Sequence, residues 1–143
     1  MSLKGKIKQI KMIDRIKETF EKDTGFIGHN KFKIVELSKE ECKAEYVIEE
    51  IGLNPAKIVH GAIIYGLADN TAGALASMNE HFPLTISSSI NYLSPGKGKK
   101  IYAVAHALKE GKTIGYYEVK IYDESDTLIA TANINMFFSD LMK

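Results

Sequence analysis

The sequence predicts an α+β fold in which one long antiparallel sheet curls around a single apolar helix. Three observations carry this expectation. The elements read in the order helix, two strands, helix, four strands, so the strands come in runs interrupted once. The strand segments are short, rich in β-branched and aromatic residues, and bounded by turn residues. The middle helix, from Ala62 to Met78, lacks proline, is too long for a typical strand and is apolar nearly all round, so it must be buried.

Taken in order, Ile7, Ile10, Ile13, Ile16 and Phe20 fall three or four residues apart and place one apolar stripe on a helix over Lys6 to Asp23, which Thr24-Gly25 ends. Its other face carries Lys4, Lys6, Lys8 and Lys11, diluted by Asp14, Glu18 and Glu21, which favours docking on a core over contact with a membrane. Phe32 to Leu37 and Cys42 to Ile48 form a hairpin across the polar Ser38-Lys39-Glu40-Glu41. A loop over Glu50 to Lys57 takes its turn chemistry from Gly52, Asn54 and Pro55. After the central helix, Leu84 to Leu93 alternates Leu84, Ile86, Ile90 and Tyr92 with Thr85, Ser87, Ser89 and Asn91, giving one apolar and one polar face. Ser94 to Gly98 breaks that strand. Ile101 to Leu108 and Thr113 to Tyr122 flank the tight turn Glu110-Gly111-Lys112, and Leu128 to Phe138 closes the fold. A single sheet leaves the far side of the central helix uncovered, so a second copy of the chain is expected against it.

The 143 residues fit one domain, and 45% apolar against 26% charged residues supports an ordered core. A net charge of +1 gives no reason to expect a nucleic-acid partner. Cys42 is the only cysteine, which excludes an intrachain disulfide and fits a reducing compartment, with the cytoplasm as the default. No run approaches the roughly 18 apolar residues of a membrane span, and no targeting segment is expected.

The chemistry centres on Asp69, the only charged residue in the central helix. A carboxylate in so apolar a segment needs compensation. Small residues at 62, 66, 72, 73 and 76 leave space for a ligand or another backbone. Asp69 could instead cap the second half of a helix broken at Asp69-Asn70-Thr71, or sit at a solvated edge. His60-Gly61 stands where the loop becomes the helix, and an N–H at such a start lies at the positive end of the helix dipole and can stabilise an oxyanion. His60 alone reads as a cap or a satisfied packing residue more readily than as a catalyst. His29, His60, His81 and His106 are too scattered for a metal site, so no metal is expected. There is no Gly-x-Ser-x-Gly elbow, and the glycines match neither phosphate-binding fingerprint. Lys97, Lys99 and Lys100 beside Pro95-Gly96 form a basic turn that could meet a phosphate or simply face solvent.

Asn54 to Gly61 followed by Ala68-Asp69-Asn70-Thr71-Ala72-Gly73 resembles the hotdog-fold acyl-CoA thioesterases of the phenylacetate-pathway (PaaI-like) type. Thr85, Tyr92-Leu93-Ser94-Pro95, Leu108 to Thr113 and Leu128-Ile129-Ala130 agree in order. The likeness implies one hotdog domain over 1–143, with a core at 26–143 and an added N-terminal helix at 1–25. It also implies hydrolysis of acyl-CoA to free acid and CoA, with no cofactor beyond the CoA of the substrate. Asp69 would be the general base or nucleophile and the Gly61 N–H the oxyanion donor. Asn54 would hold the carbonyl or the water, and His60 would support by hydrogen bonding. Thr85 would position the water opposite the acid, from across a dimer interface. Lys97, Lys99 and Lys100 would contact CoA phosphates, and the assembly would be a homodimer or a dimer of dimers. Gly61 is followed by Ala62, where many such proteins have a second glycine, which would narrow the acyl slot. Ile63, Tyr65, Phe82 and the small helix face are its expected walls, for an aromatic or medium-chain group. A thiolate with a pKa of about 8.5 leaves without prior protonation, so one acid and one oxyanion donor suffice. Two alternatives stand beside this reading. One is a hotdog module that binds acyl-CoA without hydrolysing it. The other is a hydratase, for which His81 is too far from Asp69 in sequence.

Overall fold

Alternation along the strands resolves into one six-stranded antiparallel sheet in a computed structural model that describes residues 1–141. The chain runs α1 (Leu3–Lys22), α2 (Phe26–Asn30), β1 (Lys33–Leu37), β2 (Glu41–Val47), α3 (Gly61–Ala76), β3 (Phe82–Tyr92), β4 (Lys100–Glu110), β5 (Ile114–Asp123) and β6 (Leu128–Ser139). Short 3-10 turns at Glu50–Gly52 and Ser77–Asn79 bracket α3. The strand order is β1-β2-β4-β5-β6-β3, so β3 returns from α3 to the far edge of the sheet. This is the hotdog arrangement, and the α+β expectation holds. The short α2 has no counterpart in the sequence reading, because five residues carry no usable periodicity.

The sheet closes on α3 because its inner face is built from small side chains. Ala44 pairs with Ala103 and Cys42 with Ala105, and all four are fully buried. Leu67 and Leu75 fill the space from the helix side, also fully buried. The helix runs unbroken through Asp69-Asn70-Thr71, where the sequence left a break open. Thr71 stays inside it by donating its hydroxyl to the Leu67 carbonyl at 2.6 Å.

Only part of the expected α1 stripe reaches the core. Ile16 and Phe20 are buried, and Met12 and Ile13 pack alongside, whereas Ile7 and Ile10 remain exposed. Ser2 caps the helix, accepting from the Gly5 N–H at 3.1 Å. The Lys8–Glu80 ion pair, at 2.6 Å, ties α1 to the turn after α3. α1 thus spans from β1 to that turn and lies across the outward face of α3.

β3 departs from simple alternation. Thr85 pairs with Met136 and Ser87 with Asn135, so Ile86 is an extra residue at a β-bulge. The bulge shifts the parity of the strand. Thr85, Ser88, Ile90 and Tyr92 pair with Met136, Ile134, Ala132 and Ala130, the inward residues of β6. The two-faced pattern expected for this strand is therefore corrected: Thr85 shares the helix-facing side with Tyr92, and Leu84 and Ile86 are left exposed. No helix among the described residues is long and apolar enough to cross a membrane.

Candidate active site

The outward stripe of α3 carries Ala62, Tyr65, Asp69, Asn70 and Gly73, none of them buried, and continues to Ser77 at the C-cap. β3 runs alongside and is stitched to this stripe by three side-chain hydrogen bonds. Thr85 Oγ1 donates to Asp69 Oδ1 at 2.6 Å. Tyr65 and Ser88 bond through their hydroxyls. Tyr92 donates its phenol to the Gly61 carbonyl at 2.8 Å. Positions 61, 65 and 69 are one helical face, so the ladder is a direct product of the four-residue spacing and of the bulge that turns Thr85 inward. Burial, with a smaller push from Tyr65, raises the Tyr92 phenol above its ordinary value, which keeps it a neutral donor.

Between these elements lies an open groove of about 620 Å³, walled by the rings of Phe26, Tyr65 and Tyr92, with Ala62, Gly66 and Asn70 as its floor and Asp69 within it. Phe26 from α2 rests on Gly66 so closely that a Cβ there would sit 2.9 Å from its ring. Asp69 is half-buried among these groups. Its Oδ1 is held by Thr85, and no partner of Oδ2 is found among the described residues, which leaves that oxygen to accept a proton from water.

At the other end of the groove the helix begins. His60 is the N-cap and its Nδ1 accepts from the Ala62 N–H at 2.9 Å, so the cap reading of this residue is the one the structure displays. The N–H groups of Ile63 and Ile64 go to the His60 carbonyl. Among the described residues, the Gly61 N–H is the one donor of this first turn without an acceptor, and it lies at the positive end of the helix.

Asn54 organises the loop that leads into His60. Its side-chain oxygen accepts from the Ala56 and Ile58 N–H groups at 2.9 and 3.3 Å, and its backbone N–H donates to Ile58 O at 2.9 Å. The basic turn packs against the same end of α3, since a Cβ on Gly96 would touch Val59 at 3.6 Å. Within it, Lys100 is paired with Glu45 at 3.4 Å, and the Lys99 N–H donates to Glu124 at 2.6 Å. Gly98, at φ +89, permits that approach, where a Cβ would meet the Glu124 carboxylate at 2.3 Å. Asp123 beside it is pushed up by burial but held below the ordinary carboxylate value by the N–H groups of Thr127, Ser125 and Lys97.

The resemblance expects Thr85 opposite the acid, commonly from across a dimer interface; within one chain its hydroxyl bonds Asp69, because β3 folds back along α3. Ile63 was an expected acyl wall but packs against the core instead. Tyr65 does line the groove, while Phe82 lines a second cavity further along the helix. Phe26 and Ser88 were not foreseen as part of the site, and the four-residue step from Asp69 back through Tyr65 to Gly61 is the signal that leads to Ser88. Among the described residues, no group of His, Cys, Asp and Glu is arranged to hold a metal ion.

Residues 56–130 match a family model described as the thioesterase superfamily. A putative esterase of Archaeoglobus fulgidus is 33% identical over 128 residues, covering 87% of this chain and 82% of that one. Acyl-coenzyme A thioesterase 13 of Mus musculus is 30% identical over 98 residues, covering 66% of this chain and 70% of that protein. Among solved structures, the E. coli PaaI protein from the phenylacetic acid degradation operon superposes with a TM-score of 0.83 at 18% identity, covering 91% and 94% of the two chains, a likeness of fold.

Proposed function

Because this chain belongs to the thioesterase superfamily of hotdog-fold proteins, with thioester hydrolysis as its class of chemistry, we propose that it cleaves acyl-CoA to a free acid and CoA by means of Asp69. The observation that carries this reading is a half-buried carboxylate with one oxygen fixed by Thr85 and the other open to a groove. Asp69 takes the proton of a water that adds to the acyl carbon, or attacks that carbon itself to form a mixed anhydride that a water then hydrolyses to the free acid. The carbonyl oxygen gains negative charge as the bond forms, and the unpaired Gly61 N–H stabilises it. His60 keeps that N–H at the helix tip by capping the turn. Asn54 holds the preceding loop, and its side-chain NH₂ is a further donor toward the carbonyl. The thiolate then leaves without a dedicated acid.

Gly61 and Asp69 are eight residues apart on one helix, about 12 Å at 1.5 Å per residue, too far to act on the same acyl carbon. A second copy with its α3 antiparallel to the first sets the Gly61 of one chain against the Asp69 of the other. The exposed outer edge of β3, eleven residues long, supports such a homodimer by extending the sheet. Lys97 and Lys99, at the Gly61 end with Lys100, are the cations nearest the path of the CoA phosphates. A dimer of dimers follows if the exposed row Leu84, Phe137 and Ile114 on the outer sheet face packs on its like. The test is thiol release over short, long and aromatic acyl-CoA substrates with Asp69→Ala beside the parent. Tight binding without release by the parent would favour a binding module instead.

A further inference from the structure

The outward stripe of α3 does not end at Asp69. Beyond it the stripe passes through Asn70, Gly73 and Ser77, which with the neighbouring Ala74 form the floor of a second cavity of about 570 Å³. The roof is α1, which presents Met12, Ile16 and Phe20 from its inner face. The floor side chains are small, and a space remains between them and α1. Phe82 and Pro83 wall one side, and the Lys8–Glu80 ion pair stands at the rim.

Asn70 lines both this cavity and the groove that holds Asp69. Its side chain is folded back along the helix, donating to Gly66 O at 2.8 Å. We infer that the cavity under α1 receives the acyl chain of the substrate, and that this protein is built for saturated, medium-length straight chains. This rests on the thioesterase reading above. An acyl carbon placed at Asp69 sends its chain past Asn70 toward Ser77, again eight residues and about 12 Å along the helix. That length holds a chain on the order of ten carbons, and the volume lies within the range of small-molecule sites. Met12, Ile16 and Phe20 in the roof reward each methylene that enters.

The chain-length profile tests this with CoA esters from butanoyl to tetradecanoyl. For the parent protein, kcat/KM is expected to rise about fourfold per methylene and to level off near ten carbons. Gly73→Leu fills the floor, where an added Cβ makes only an ordinary contact with Met136 Cε at 3.7 Å. Met12→Trp fills the roof independently, and folding of both is checked by circular dichroism and cooperative melting. Each substitution should lower kcat/KM for decanoyl-CoA at least tenfold while changing that for butanoyl-CoA less than twofold. Equal losses at both lengths in the folded variants, or none, would overturn the pocket. If the parent hydrolyses no ester at all, the hydrolase reading fails separately, and calorimetry decides the pocket. Decanoyl-CoA must then bind the parent at least tenfold more tightly than butanoyl-CoA and lose that advantage in Gly73→Leu; equal binding rejects it.

Discussion

Thr85 Oγ1 donates to Asp69 Oδ1 at 2.6 Å, joining the edge strand to the central helix at the one charged residue of that helix. The bond exists because Ile86 is an extra residue in β3, which turns Thr85 to the helix side. A hydrogen bond to a charged group contributes about 1.5–3 kcal/mol. Thr85→Ala is therefore expected to lower kcat at least tenfold, and Thr85→Ser, which keeps the hydroxyl, to stay within about threefold. Steady-state thiol release with both variants checks this; equal losses would detach the hydroxyl from the chemistry.

The unpaired Gly61 N–H can be deleted without destroying the helix, because proline is well tolerated at a first helical position. Any Cβ at this site meets the Tyr92 ring at 3.1 Å, so Gly61→Ala serves as the control that keeps the donor. Gly61→Pro should fall about 10²–10³-fold in kcat below Gly61→Ala. Matching rates for the two would remove the oxyanion role.

If the site is shared between two copies through β3, a charge at the exposed Ile86 should weaken assembly and activity together. Ile86→Lys is expected to shift sedimentation from dimer toward monomer, with specific activity falling in proportion to the dimer lost. A fully active monomer would contradict the shared site.

Cys42 and Asp123 set opposite pH limits on stability. Burial pushes the Cys42 thiol up from 9.0 to about 12. Between those values the unfolded chain releases a proton that the folded chain keeps, so stability falls as pH rises through that window. Asp123 is shifted down by its N–H donors, so its contribution is present above the ordinary carboxylate value and is lost as pH falls through the lowered one. Denaturant melts across pH should show both slopes, with Cys42→Ala flattening the alkaline one. Native Cys42 should also resist alkylation at pH 8 until denaturant is added.

The architecture was legible because it depends on patterns that sequence displays: the apolar run around Leu67 and Leu75, the short segments rich in β-branched and aromatic residues, and the turn residues between strands. Asp69 stood out by the same logic, as a charge in an apolar segment, and Gly61 by its place at a helix start. What escaped was set by geometry between elements. A bulge has no residue signature at Ile86, so the strand read as two clean faces and Thr85 fell on the wrong one. The exposure of Ile7 and Ile10 depends on where α1 crosses α3, which periodicity does not encode. His60 reads as a cap more readily than as a catalyst, and its Nδ1 on the Ala62 N–H makes it the cap.

In the proposed reaction the Asp69 carboxylate drives thioester cleavage. Asp69→Asn keeps an oxygen to accept from Thr85 and removes only the charge. The deciding measurement is thiol release from decanoyl-CoA by the parent and by this variant. The expected result is a kcat lower by about 10²–10⁴-fold with KM within a few fold. A folded Asp69→Asn protein turning over at the parental rate would contradict it.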